Sequence, residues 1–317
     1  MGLQQESKTY KPFYYPWAVE LTRTHEEVHW TEDEAELSED VTDWAIKLSL
    51  QEKAFVTNIL RLFTQSDAQV GQNYHDFLIP IVRNNEVRVM LSSFAGREGT
   101  HQRAYALLND TLGLPDEEYH AFLEYKEMSD KIGFMQENSI ETTTGKAFAF
   151  AKTVGLEGIS LFASFAMLLN FQRSGKMKGM NTIVEWSIRD ETLHVQGNAM
   201  VFRQFCAEHP QIVNDEFKSK LYKMIDTIVS LEDKFIDLAF AGFPIAGITA
   251  EETKQYIRCI ADRRLIQLGL KEKYHTKSPF DWLDWIINGV SHDNFFEKRV
   301  SEYSVNGMVG EWGYDQD

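Results

Sequence analysis

The run NTIVEWSIRDETLHVQGNAMVF, residues 181–202, decides how this chain is read. Val184, Ile188, Val195 and Ala199 recur at helical intervals, so the run reads as one long helix with an apolar face. That face is interrupted by Asp190, Glu191 and His194. A solvated surface strip is the ordinary explanation, and a metal site is the specific one. The rest of the chain has to decide between them.

With 317 residues and 43% hydrophobic content, the chain has ample material for a buried core. Its 7 prolines and its glycines fall between long periodic segments, which favours helices over strands. A net charge of −16 argues against a nucleic-acid surface, because neutralising phosphates needs clustered Lys and Arg. Cys206 and Cys259 are far apart and in no C-x-x-C spacing, so neither a disulfide framework nor a thiolate zinc site is expected, and a reducing, cytoplasmic setting is. The opening MGLQQESKTYKPFYYPW lacks a basic-then-apolar signal pattern, and Glu6 does not suit a myristoylation site at Gly2. The most apolar run, GLEGISLFASFAMLLNF, is short for a span and contains Glu157, so no membrane segment is expected.

Residues 1–37 read as an irregular, aromatic-rich lead-in, and about 304–317 as a flexible tail. Between them the periodicity predicts a helix from Ser38 to near Pro80 and a second through residues 86–112, stopped by Gly113 and Pro115. A short helix is expected within 116–136 and a third long one over 147–175, followed by the helix of residues 181–202. Two more cover roughly 214–240 and 250–270, the latter with Thr249 and Glu252 as a capping box. No repeat or composition shift marks a boundary, so residues 1–317 read as a single all-α domain with a central four-helix bundle.

Glu98 and His101 on the second helix share the i, i+3 spacing of Glu191 and His194, and Tyr105 extends the first pair by four residues. One Glu-x-x-His alone is weak evidence. Two copies on separate helices, each flanked by apolar or small residues, are stronger. The first and third helices each add an acid near apolar residues, Asp67 and Glu157. Asp67 lies in a polar enough stretch to be surface, whereas an unpaired Glu157 among Val154, Leu161 and Phe165 would be costly. One acid from each of two helices and Glu-x-x-His from each of the other two is the arrangement of dinuclear carboxylate sites in ferritin-like bundles, with Asp67 in place of a first Glu. Oxygen and imidazole donors suit iron or manganese.

The segments FAGREGTHQRAY, GLEGISLFASFA and IRDETLH resemble those of the small, radical-generating subunit of class I ribonucleotide reductase, a ferritin-like family, in the family's order and separations. The likeness runs from about Trp30 to about Tyr303. It implies that Asp67, Glu98, His101, Glu157, Glu191 and His194 ligate two metal ions, iron, manganese or one of each. It implies that Tyr105 carries a radical after an oxygen-derived oxidant reacts at the metals, and that Trp30 lies on the transfer path, with Asp190 bonded to a ligand histidine. The implied partners are a large catalytic subunit that reduces ribonucleotides, a second copy of the chain, and a flavodoxin-like activase. Tyr303 and Tyr314 are the candidates for a relay tyrosine in the tail.

From the residues alone, Tyr105 could equally be a core tyrosine with a satisfied hydroxyl, Asp190 an exposed helix acid and Trp30 a packing aromatic. Three rivals stand beside the reductase reading. A dimetal oxidase or monooxygenase would need a substrate cavity that Phe94, Leu161 and Phe165 are bulky enough to close. An iron-storage bundle would be shorter and form cages. A purely structural helical protein leaves the six polar positions unexplained.

Overall fold

Long helices begin here where the sequence offers a side-chain oxygen to otherwise unpaired N–H groups. Asn84, Thr142 and Asn214 each accept from the backbone N–H three residues on. Ser49 with Glu52, and Thr249 with Glu252, form reciprocal capping boxes, the second of them expected from sequence. The computed structural model describes residues 2–284 except 121–122 and the side chain of Thr64. Its helices are α1 Pro16–Glu27, α2 Ser38–Thr42, α3 Leu50–Asn73, α4 Ile79–Ile81, α5 Asn85–Leu112, α6 Lys126–Gln136, α7 Thr143–Gly155, α8 Phe162–Leu169, α9 Lys178–Glu208, α10 Asp215–Phe240 and α11 Ala250–Gln267. The all-α expectation holds among the described residues, where the only extended pairing is the isolated bridge between Ile245 and Ile248.

The core is a four-part bundle. α3 lies against α5, α7 against α9, α5 against α9, and α8 touches both α3 and α9. α10 and α11 cover one side, and α1 crosses α5 and α9. The segment Thr143–Ser174 is long and apolar enough to cross a membrane by length and composition, but its most apolar stretch is buried inside the protein.

Three sequence expectations need correction. Residues 1–37 are not irregular throughout, because α1 occupies Pro16–Glu27. Pro16 suits a first turn, where its missing N–H costs nothing, and Ala18, Leu21, Thr22 and His25 form a buried stripe at helical spacing. The helix expected from Ser38 to Pro80 is interrupted at Leu48, which is extended, and restarts at the Ser49–Glu52 box. The third helix is not continuous: Leu156–Ser160 form a π-helical turn between α7 and α8, and Asn170–Ser174 tighten into a 3-10 turn. The second helix ends where expected, at Gly113 with φ 69°. The expected tail, with Tyr303 and Tyr314, lies outside the described residues.

The π turn has a visible physical support. Arg264 Nε of α11 donates to the Gly158 carbonyl at 2.9 Å, and Lys131 Nζ of α6 donates to that of Ser160 at 3.2 Å. A Cβ at position 158 would lie 2.5 Å from Arg264 Nε, so the close approach requires glycine. Lys131 is buried and paired with Glu232 at 2.6 Å. The turn that carries Glu157 is therefore clamped by two buried cations from outside the bundle. Arg264→Met keeps the apolar stem but removes the hydrogen bond to the buried Gly158 carbonyl, and should lower unfolding free energy by about 1–3 kcal/mol in urea titration. A loss within about 0.5 kcal/mol, the range of ordinary surface changes, would contradict the clamp.

Candidate metal centre

Helical spacing puts Glu98 and His101 on the inner face of α5, and Glu191 and His194 on that of α9. Asp67 comes from α3 and Glu157 from the π turn. All six are at most 1% exposed. Ligand atoms of Glu98, Glu157, Glu191 and His194 lie within 4.8 Å of one another, and so do those of Asp67, Glu98 and His101. Glu98 belongs to both groups, which makes it the shared wall of two adjacent ion-sized positions.

Both imidazoles aim Nδ1 at the carboxylates. His194 Nδ1 lies 3.0 Å from Glu98 Oε1 and 3.5 Å from Glu191 Oε2, and His101 Nδ1 lies 3.4 Å from Glu191 Oε1. Despite these distances, His101 Nδ1, His194 Nδ1, Asp67 Oδ2, Glu157 Oε1 and both oxygens of Glu98 and of Glu191 make no hydrogen bond of acceptable geometry. Buried polar atoms without partners are rare in native proteins. Here they converge on common points instead of on each other, as donors to shared cations do, and the residues present fit two metal ions.

Acid–base behaviour shows the same demand for positive charge. Burial, then the charge of Glu191, pushes the Glu157 carboxyl well above its usual range; burial does the same to Asp67. On Glu98 burial acts upward, but the nearby imidazoles of His101 and His194 outweigh it and hold the carboxyl at about 2. Burial opposes charge on His194, yet Glu191 and Glu98 raise it to about 10.

The remaining expected residues lie around the cluster. Asp190 is buried: its Oδ2 accepts from Trp30 Nε1 at 2.7 Å and faces His101 Nε2 at 3.2 Å, and its Oδ1 accepts from Arg97 at 2.7 Å. Trp30 stacks on His101, with ring centroids 5.9 Å apart. Tyr105 is buried beside Phe63, and its hydroxyl bonds to Ser187 Oγ at 3.1 Å instead of to any of the six. Burial, then the charge of Asp67, pushes that phenol well above its ordinary value. Arg189, given no part on sequence grounds, donates to the Val28 carbonyl at 2.7 Å and ties α9 to the chain after α1.

Four residues escaped the sequence reading. His25 of α1 contacts His194 Nε2 at 3.1 Å, and burial pushes its imidazole down to about 2. Arg97 links Asp190 to the His25 and Val28 carbonyls. Asn198 donates to Glu157 Oε2 at 3.2 Å and to the Tyr74 hydroxyl at 2.7 Å. A stripe search along α9 would have reached Asn198, four residues after His194; nothing local in the sequence marks His25 or Tyr74.

Comparison with known proteins follows this geometry. A family model described as "Ribonucleotide reductase, small chain" matches residues 7–279. The probable ribonucleoside-diphosphate reductase small subunit of Invertebrate iridescent virus 3 is 38% identical over 330 aligned positions, covering 98% of this chain and 88% of that protein. The ribonucleoside-diphosphate reductase subunit beta of Chlamydia pneumoniae is 28% identical over 94% of this chain and 90% of its own length. Among solved structures, the ribonucleotide reductase R2 subunit from Clostridium botulinum superposes with a TM-score of 0.83 at 22% identity, covering 90% of this chain and 92% of that one. The dimanganese(II) protein NrdF of Streptococcus sanguinis gives a TM-score of 0.76 at 20% identity, covering 92% and 99%.

Ions bound at such a site stabilise the folded state by mass action, about 2.7 kcal/mol per site at a hundredfold excess over Kd. Manganese(II) should therefore raise the Tm of the wild type and raise that of Glu157→Gln much less. Without added ions Glu157→Gln should be at least as stable as the wild type, since it removes the cost that burial puts on the Glu157 carboxyl. An ion-free variant several kcal/mol less stable would show that Glu157 serves packing and not ligation.

Proposed function

The chain belongs to the ribonucleotide reductase small-chain family, and we propose that it stores an oxidising equivalent at a dimetal centre and hands it to a separate large subunit that reduces ribonucleotides. The observation that carries this reading is the pair of donor groups joined through Glu98, one with His101 and one with His194. Asp67, Glu98 and His101 would hold one ion, and Glu98, Glu157, Glu191 and His194 the other. Two iron or manganese ions bound there, or one of each, would supply one-electron oxidising power, with an oxygen-derived species as the oxidant.

The protein's own residues do the rest. Asp190 accepts from His101 Nε2, which leaves Nδ1 unprotonated toward the ions, and Arg97 keeps Asp190 ionised. Tyr105 holds its phenol proton in a hydrogen bond to Ser187, buried beside Phe63. Its location away from solvent protects a stored radical from quenching. Trp30, stacked on His101 and bonded to Asp190, forms the exit toward the large subunit.

The large subunit and a second copy of this chain are the partners of this reading. A flavodoxin-like activase is the proposed source of a reduced oxygen species. The free cysteines Cys206 and Cys259 fit the cytoplasm. The oxidase alternative needs room for an organic substrate at the ions. Rings occupy that space: Phe94 packs 4.5 Å from His194, and Phe63 lies 4.4 Å from Tyr105 and 5.3 Å from Phe165.

Electron paramagnetic resonance after metal loading and oxidation should give a tyrosyl signal that Tyr105→Phe abolishes. A signal that survives this change, or a metal-only signal in the wild type, removes Tyr105 from its place. Ribonucleotide reduction should require the large subunit; turnover of an organic substrate by this chain alone would overturn the function.

A further inference from the structure

His194 turns Nδ1 toward Glu98 and Glu191, so a cation held there finds that nitrogen unprotonated and the ring's one hydrogen on Nε2. His194 Nε2 lies 3.1 Å from His25 Nε2. Two ring nitrogens at that distance share a single hydrogen. His25 Nε2 must therefore accept, and its own hydrogen sits on Nδ1, which is 2.8 Å from Ser93 Oγ. Every ring nitrogen in the chain of contacts from the carboxylates to Ser93 then has one defined state, and His25 is neutral.

His25 is also fixed in place. It is 1% exposed, its carbonyl accepts from Arg97 Nη2 at 3.2 Å, and its ring meets Phe94 edge-on at 5.1 Å. The same arginine bonds Asp190, the partner of the other imidazole. His101 thus donates to a carboxylate, while His194 donates to a neutral ring. Donation to an anion makes an imidazole a stronger electron donor than donation to a neutral acceptor does. The two ion positions differ for that reason as well as in their acids.

We infer that His25 is a positioning residue for the centre: by accepting from Nε2 it sets the tautomer and tilt of His194 and so the affinity of the ion on that side. This rests on the reading of His194 as a ligand. Ser93, His25, Arg97 and Thr100 line a surface cavity of about 210 Å³, large enough to admit a free imidazole in place of a missing side chain.

Manganese(II) titrated into the metal-free full chain, with unbound ion followed by electron paramagnetic resonance, tests the inference. The wild type should take up two ions, and His194→Ala should lose tight binding of one. His25→Ala should weaken one of the two ions about 10–100-fold, the usual cost of losing a ligand's outer partner. Free imidazole, or the change His25→Gln, which keeps an acceptor, should restore it. Affinity unchanged in His25→Ala would overturn the inference. So would a loss that neither imidazole nor glutamine repairs, because that marks a packing role. If His194→Ala binds two ions as the wild type does, the ligand reading itself fails and takes this inference with it.

Discussion

Four carboxylates held side by side inside an apolar bundle are the constraint on which the rest of this molecule depends. An ion buried without compensation costs several kcal/mol, while a whole domain is stable by only about 5–15 kcal/mol. Asp67, Glu98, Glu157 and Glu191 are almost fully buried. Positive charge offsets that cost: both imidazoles turn toward the carboxylates, and the oxygens left without a hydrogen bond are those that the proposed ions would face. Each helix of the core must then be in a register that brings its acid to the same few ångströms.

The registers are held from outside the site. Arg264 and Lys131 secure the π turn that carries Glu157 by donating to its Gly158 and Ser160 carbonyls. α1 and the residues after it supply the outer contacts of both imidazoles: His25 against His194, and Trp30 through Asp190 against His101. Arg97 joins the two arrangements, since it bonds Asp190 and the carbonyls of His25 and Val28. An element peripheral to the bundle thus bears on the orientation of both imidazoles at its centre.

Much of this was legible in the chain because it rests on local periodicity. The two Glu-x-x-His pairs, Asp67 and Glu157 interrupt apolar stripes, and the structure brings all six together. Gly113 and the Thr249–Glu252 box mark helix ends by their own chemistry. What escaped is non-local. The π turn at Leu156–Ser160 depends on Arg264, more than a hundred residues later in the chain. α1 is short and follows an aromatic-rich lead-in, so its stripe of Ala18, Leu21, Thr22 and His25 does not stand out until α5 and α9 lie beneath it. His25 was missed for that reason: only tertiary contact reveals its partner. The break at Leu48 is different, because the Ser49–Glu52 box that restarts the helix was present in the sequence and was read through.

The central claim is that six side chains from four parts of the bundle form two adjoining cation sites sharing Glu98. Anomalous diffraction at the manganese edge, on crystals of the full chain grown with manganese(II), tests it most directly. The account predicts two peaks within the cluster, one beside the Nδ1 of His101 and one beside that of His194, with Glu98 next to both. A single peak, or peaks that lie only at surface acids and leave the cluster dark, would contradict it.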